Sequence, residues 1–178
     1  LQTQAFAVLT DDAIGDCDLR VALLQRFAAA VGARGMVWGQ AQDIAAETAA
    51  RPLDLPAVKA LQQAKTGALI QFAATSGALI AGADPEPLAE YARHLGLAFQ
   101  VADDILDVTG DPEQTGKRTG KDSRLGKATF VSLLGLQGAR DKASAIVSKA
   151  EAALNVYPDS EAAGNLRQLA RFVIHRQT

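Results

Sequence analysis

Residues 98–107 read Ala-Phe-Gln-Val-Ala-Asp-Asp-Ile-Leu-Asp, which places three carboxylates in an otherwise apolar stretch. On a helix, Asp103 and Asp107 lie one turn apart on the same face, and Asp104 is offset from them by about 100°. Gathering acids on a half-apolar surface costs free energy through repulsion and desolvation unless a cation joins them. The stretch therefore predicts a cation site on a long helix.

Magnesium is the cation that best suits these carboxylates. Zinc would need His or Cys ligands, and the stretch contains neither. A calcium loop of the EF-hand type would need a non-helical array of twelve residues, which this helical pattern does not offer. Mg²⁺ commonly binds one or two carboxylates and completes its coordination with water and phosphate oxygens, so it is the predicted ion.

A basic, glycine-rich segment follows directly, and residues 109–127 are predicted to be non-helical. The segment carries the cations Lys117, Arg118, Lys121, Arg124 and Lys127. Cationic side chains and the backbone N–H groups of glycine-rich turns both bind anions. The spacing from Gly110 to Gly116 is wrong for a Walker A loop, and no Ser or Thr follows Lys117. A cation site followed by an anion site predicts Mg²⁺ with a phosphorylated ligand.

Composition restricts the remaining classes of function. The 178 residues are 48% hydrophobic, which is enough for one domain with a real core. The 18 basic and 20 acidic residues are nearly balanced, so a nucleic-acid partner is not expected. Polar residues interrupt the apolar runs before they could span a membrane. A single cysteine, Cys17, excludes an intramolecular disulfide, and residues 1–10 lack a secretory signal, so a cytoplasmic location is expected.

The chain is rich in helix-forming residues and lacks β-branched alternation, which predicts one all-α domain over residues 1–178. Asp16 and Asp54 are the expected N-caps of two helices, and Gly32 is an expected helix end. The predicted helices cover residues 1–10, 16–31, 35–50, 54–80, 87–108, 128–138, 139–157 and 160–176. The chain opens at Leu1 within an amphipathic pattern, as expected for an interior segment of a longer polypeptide.

Several motifs together resemble the trans-polyprenyl diphosphate synthases, most of all the bacterial short-chain farnesyl diphosphate synthases, or geranyltranstransferases. The motifs are Lys-Thr-Gly at 65–67, Phe-Gln-x-x-Asp-Asp-x-x-Asp at 99–107 and Gly-Lys-x-x-Gly-Lys-Asp at 116–122. The same resemblance is supported by three further features: Gly-Met-x-x-Gly-Gln-x-x-Asp at 35–43, Leu-Gly-Lys-x-Thr-Phe at 125–130 and Arg176. The resemblance implies an isoprenoid-synthase-type helical bundle around a central cavity. It also implies a Mg²⁺-dependent prenyltransferase that condenses isopentenyl diphosphate with an allylic diphosphate, dimethylallyl or geranyl, to geranyl or farnesyl diphosphate.

The resemblance also implies roles for individual residues. In the family's pattern, the second aspartate-rich motif holds Mg²⁺ against the allylic diphosphate, and lysines bind that diphosphate. The oxygens of a helix kink and of a glutamine face the developing allylic cation. The matching metal ligands are Asp103, Asp104 and Asp107, the diphosphate ligands are Lys65, Lys117 and Lys127, and the catalytic groups are Lys65, Thr66 and Gln100.

The chain departs from the family pattern upstream. Family members carry a first aspartate-rich motif and an arginine pair, and no such sequence occurs here; Asp11 and Asp12 lie in a predicted turn. We therefore expect the C-terminal portion of a synthase, without its N-terminal helices and inactive alone. The resemblance implies a homodimer. Alternatives are a longer-chain prenyl diphosphate synthase, a terpene cyclase of the same fold, or a non-catalytic partner subunit.

Overall fold

Helices form nearly all of the structure, a computed structural model that describes residues 1–110 and 128–176. The α-helices are α1 (Gln2–Leu9), α2 (Cys17–Val31), α3 (Met36–Glu47), α4 (Leu55–Gln62), α5 (Ala68–Ile80), α6 (Glu86–Thr109), α7 (Phe130–Ala153) and α8 (Glu161–His175). Short 3₁₀ segments lie at Asp12–Ile14 and Leu154–Val156, and a π-helical turn lies at Gln63–Gly67. These two described ranges contain no β-strand, and the predicted all-α class is confirmed.

Helix starts coincide with the N-caps that the sequence predicts. The Asp16 carboxylate accepts a hydrogen bond from the backbone N–H of Leu19 at 2.8 Å, and Asp54 accepts one from Ala57 at 2.9 Å. Such side chains satisfy amides that have no partner inside the helix. The observed ends of α1, α2, α3 and α6 differ from the predicted ones by at most three residues.

A π turn interrupts the helix predicted over residues 54–80 and divides it into α4 and α5. Neighbouring backbones enclose this turn closely at two glycines. A Cβ atom added to Gly39 of α3 would lie 2.2 Å from the backbone nitrogen of Lys65, and one on Gly96 of α6 would lie 3.1 Å from the Cα of Gly67. Only glycine permits the first approach, so α3 packs directly on the turn that carries Lys65 and Thr66. The kink that the resemblance implies is thus present.

The helices predicted over 128–138 and 139–157 form one element, α7, with a kink at Gly135. Gly135 has φ 73° and ψ 164°, in the region of positive φ that glycine adopts without steric cost. The break therefore lies earlier than predicted. The α-helix ends at Ala153 and continues as the 3₁₀ segment Leu154–Val156.

Helix α6 is central and packs against α5, α7 and α8. Its apolar face forms a core with α7, the following 3₁₀ turn and α8, through Tyr91, Leu95, Ala98, Val101, Phe130, Ile146, Val147, Leu154 and Val173. The hydroxyl of Tyr91 donates a hydrogen bond to the backbone carbonyl of Leu166 at 2.8 Å. Burial raises the pKa of Tyr91 to about 12. This packing holds the second half of α6 in a fixed orientation.

The acids near the start of the chain lie in a turn, as predicted. Asp11 caps the first 3₁₀ segment by accepting a hydrogen bond from the N–H of Ala13 at 2.9 Å, and Asp12 pairs with Arg20. Both carboxylates are exposed. Among the helices of residues 1–110 and 128–176, none is long and apolar enough to cross a membrane.

Candidate active site

One cavity collects most of the described residues that the sequence singles out. It measures about 150 Å³ and is bordered by polar side chains from three places: Asp43 of α3, Gln62 and Lys65 of α4 and the π turn, and Gln100, Asp103 and Asp104 of α6. Apolar side chains, among them Leu53, Val58 and Leu61, complete the wall. The close packing of α3 and α6 on the π turn explains why residues distant in sequence meet here.

Lys65 forms an ion pair with Asp43, and both side chains line this cavity. Its Nζ lies 2.7 Å from Oδ2 of Asp43, with the lysine side chain 33% exposed and the aspartate side chain 13% exposed. The pair holds the ammonium group at the cavity rather than in bulk solvent. Sequence reasoning included Asp43 in a family motif but gave it no role. The structure shows that Asp43 positions Lys65.

Thr66 and Gln100, to which the resemblance gives catalytic roles, are hydrogen-bonded to each other. Nε2 of Gln100 donates a hydrogen bond to Oγ1 of Thr66 at 3.1 Å, and Gln100 is only 8% exposed. A buried amide needs partners, and this bond fixes its orientation. Oε1 of the neighbouring Gln62 is buried and has no hydrogen-bond partner in the structure. The polar lining of the cavity therefore includes the side chains of Gln62 and Gln100 as well as that of Lys65.

The three carboxylates of α6 have different surroundings. The Asp103 side chain is 57% exposed, and its Oδ1 lies 3.2 Å from Nη2 of Arg176. The same guanidinium stacks on the ring of Phe99 at 4.0 Å. Asp107 is half-buried, whereas Asp104 is only 6% exposed and its Oδ2 accepts a hydrogen bond from the N–H of Phe130 at 2.6 Å.

The described part of the chain does not by itself assemble a metal site. Residues 1–110 and 128–176 contain no group of three or more His, Cys, Asp or Glu side chains arranged to hold a metal ion. Mg²⁺ needs fewer, because water and phosphate oxygens commonly complete its coordination. The exposed Asp103 and the half-buried Asp107, one turn apart, are carboxylates of the type it binds. The basic segment from residue 111 to residue 127 lies outside the described residues, and it includes Lys117 and Lys127.

The helical bundle and this cavity define the class of protein, the all-α isoprenoid synthase fold. The structure superimposes on an FPP/GFPP synthase from Zymomonas mobilis with a TM-score of 0.84 at 44% identity, over 97% of this chain and 57% of that one. A geranyltransferase from Helicobacter pylori, complexed with magnesium and isoprenyl diphosphate, gives a TM-score of 0.77 at 31% identity, over 97% of this chain and 56% of that one.

Sequence comparison supplies the family. The polyprenyl synthetase family model matches residues 1–161, and the chain belongs to that family. It is 42% identical over 184 aligned positions to the farnesyl diphosphate synthase of Escherichia coli, covering 99% of this chain and 60% of that protein. The chain therefore spans a little over half the length of these relatives. The predicted family and fold are confirmed.

Proposed function

We propose that this chain supplies one wall of the active site of a Mg²⁺-dependent prenyltransferase, which joins isopentenyl diphosphate to an allylic diphosphate. The observation that carries the proposal is the meeting of Lys65, Gln100 and Asp103 at one cavity, although up to 38 residues separate them in sequence. Thr66 is joined to this group by the hydrogen bond that Gln100 donates to it. Magnesium and isoprenyl diphosphate in the similar Helicobacter pylori structure support the same ligands here.

The metal ligands follow from the chemistry and exposure of the carboxylates. Asp103 and Asp107 are the side chains that would contribute most directly to a Mg²⁺ site, with Asp104 beside them on α6. A bound Mg²⁺ would neutralise charge on the diphosphate leaving group. The ammonium of Lys65, at the same cavity, acts on the same charge, and we propose the same role for Lys117 and Lys127.

The rest of the reaction follows from the other groups at the cavity. The allylic C–O bond breaks, diphosphate leaves with the bonding electrons, and the oxygens near Thr66 and Gln100 face the resulting allylic cation. Preorganised dipoles of this kind stabilise developing charge without reorganisation. Leu53, Val58 and Leu61 exclude water from the cation. The double bond of isopentenyl diphosphate forms the new C–C bond, and loss of one proton completes the product.

The test replaces Asp103 by Asn in the whole protein and measures incorporation of labelled isopentenyl diphosphate. We expect kcat to fall about 100-fold or more, because a carboxylate that stabilises transition-state charge is lost. Asp18→Asn is the matched control, since Asp18 is exposed on α2 and forms no side-chain hydrogen bond or ion pair with residues 1–110 or 128–176. Near-normal condensation by the Asp103 variant would contradict the proposal. If the wild-type protein shows no turnover of its own but binds a catalytic chain, it is a non-catalytic partner subunit instead.

Geranyl or farnesyl diphosphate is the proposed product, in keeping with the farnesyl diphosphate synthase of Escherichia coli. The similarity to an FPP/GFPP synthase favours a longer-chain synthase as the second candidate. Mass analysis of the products separates the two, because each condensation adds one five-carbon unit. Residues 1–178 alone are expected to show little turnover, since the resemblance places further metal ligands upstream.

A homodimer and a cytoplasmic location complete the proposal. The outward side of α3 exposes Val37 by 53%, Trp38 by 53% and Ile44 by 57%, which is an apolar surface of the kind that subunit interfaces cover. The single, exposed Cys17 suits a reducing compartment. Sedimentation analysis of the whole protein tests the dimer: Trp38→Glu should shift it toward monomer. A monomeric wild-type protein would contradict this part.

A further inference from the structure

Asp104 borders the same cavity as Asp103 but differs from the other carboxylates of the motif because it is buried and bonded to the backbone of another helix. Asp104 is only 6% exposed, and its Oδ2 accepts a hydrogen bond of 2.6 Å from the N–H of Phe130. Phe130 is the first residue of α7 and is completely buried in the core. The contact therefore joins the C-terminal part of α6 to the start of α7.

The start of α7 needs such a partner. The first amides of an α-helix have no acceptor within the helix, and the positive end of the helix dipole favours a carboxylate. Thr129 and Ser132 form a reciprocal capping box, in which the N–H of Ser132 donates to Oγ1 of Thr129 and the N–H of Thr129 donates to Oγ of Ser132. The Phe130 amide is satisfied from outside, by Asp104.

This anchor lies beside the candidate active site. Ala128 and Thr129, which directly precede α7, border the same cavity as Lys65, Gln100 and Asp103. A change in the position of the α7 start would therefore move one wall of that cavity. A charge-assisted hydrogen bond to a buried carboxylate is stronger and shorter than a neutral one, which suits a fixed structural connection.

We propose that Asp104 is a positioning residue that fixes the start of α7 against α6, while Asp103 and Asp107 provide the metal-binding carboxylates. The motif Asp-Asp-x-x-Asp thereby contains two functions on one helix. The anchoring role stands on the hydrogen bond itself; only the division of labour with Asp103 and Asp107 rests on the proposed function.

The experiment compares Asp104→Ala, Asp104→Asn and Asp103→Asn in the whole protein. Hydrogen exchange of residues 129–133 reports the anchor, and calorimetric titration of Mg²⁺ in the presence of inorganic diphosphate reports the metal site. Asp104→Ala should speed exchange at the Phe130 amide at least 10-fold and change the Mg²⁺ affinity less than 3-fold. Asp104→Asn should restore most of the protection, because its amide oxygen can accept the same N–H.

Asp103→Asn should give the opposite result: unchanged exchange at α7 and a Mg²⁺ affinity reduced at least 10-fold. Unchanged exchange in Asp104→Ala would overturn the anchor. A loss of Mg²⁺ affinity in Asp104→Asn equal to that in Asp103→Asn would overturn the division of labour. If the alanine variant does not fold, the exchange of the asparagine variant decides the anchor. If the wild-type protein binds no Mg²⁺, the proposed function fails while the exchange measurements still test Asp104.

Discussion

The two halves of α6 use the same helical pattern for different purposes. In the first half, Tyr91 is fully buried and its hydroxyl donates to a fixed backbone partner, the carbonyl of Leu166. In the second half, Asp103 is exposed at a cavity and pairs with a side chain, that of Arg176. A backbone partner cannot be exchanged for a ligand, whereas a side-chain partner can. The first half therefore contributes stability, and we propose that the second half contributes a binding group through Asp103.

The largest effect that this comparison predicts is on activity, at the cavity that the second half borders. Lys65→Ala in the whole protein should lower kcat/KM about 100-fold or more, equivalent to roughly 3 kcal/mol of transition-state stabilisation. The free energy of unfolding should change much less, because the Lys65 side chain is 33% exposed. Steady-state kinetics and urea denaturation measure the two quantities. Lys149→Ala, exposed on α7, is the control, and an activity within threefold of wild type would refute the role of Lys65.

A second prediction connects packing with the site. Gly39→Ala should lower the free energy of unfolding by about 1–3 kcal/mol, because the new Cβ would collide with the backbone nitrogen of Lys65. Activity should fall as well, since the π turn must move. Gly77→Ala is the matched control, because a Cβ there meets nothing within 4 Å and alanine favours the helix by up to about 1 kcal/mol. Equal stability of the two variants would show that the close approach is not needed.

A third prediction concerns pH and the first half of α6. Burial raises the pKa of Tyr91 from 10.0 to about 12, so the folded protein keeps a proton that the unfolded chain has lost between these values. The free energy of unfolding therefore falls as pH rises from 10 to 12, by roughly 2 kcal/mol for this group. Denaturation curves of wild type and Tyr91→Phe across that range isolate the contribution. The free energy of unfolding should fall more steeply with pH in the wild type than in Tyr91→Phe. Parallel curves would rule out this contribution of Tyr91.

The smallest effect is that of Tyr91→Phe at neutral pH. The variant removes the hydroxyl and leaves the Leu166 carbonyl without its donor, which should cost about 1 kcal/mol of stability. Activity should be unchanged, because Tyr91 lies away from the cavity lining. A kcat reduced as much as that of the Lys65 variant would show that the two halves of α6 do not differ in purpose.

Local features were the ones that sequence reasoning predicted well. The N-caps Asp16 and Asp54 each depend on an amide three residues away, so the pattern contains the whole interaction. The kink at Gly135 was misplaced, because nothing local distinguishes it from the nearby Gly138. The roles of Lys117 and Lys127 stay predictions, since both lie outside the described residues.

Residue types and their spacing along the chain determined the helical class, the positions of the caps and the set of acids and bases around residues 98–127. The partners of those groups were decided only by tertiary packing. Asp43 meets Lys65 from 22 residues away, and Asp104 meets the Phe130 amide from 26 residues away. Helical periodicity separates Asp104 from Asp103 by about 100°. Whether a carboxylate meets a buried backbone amide, as Asp104 does, or an arginine side chain, as Asp103 does, depends on which helices pack there. No local pattern contains that information.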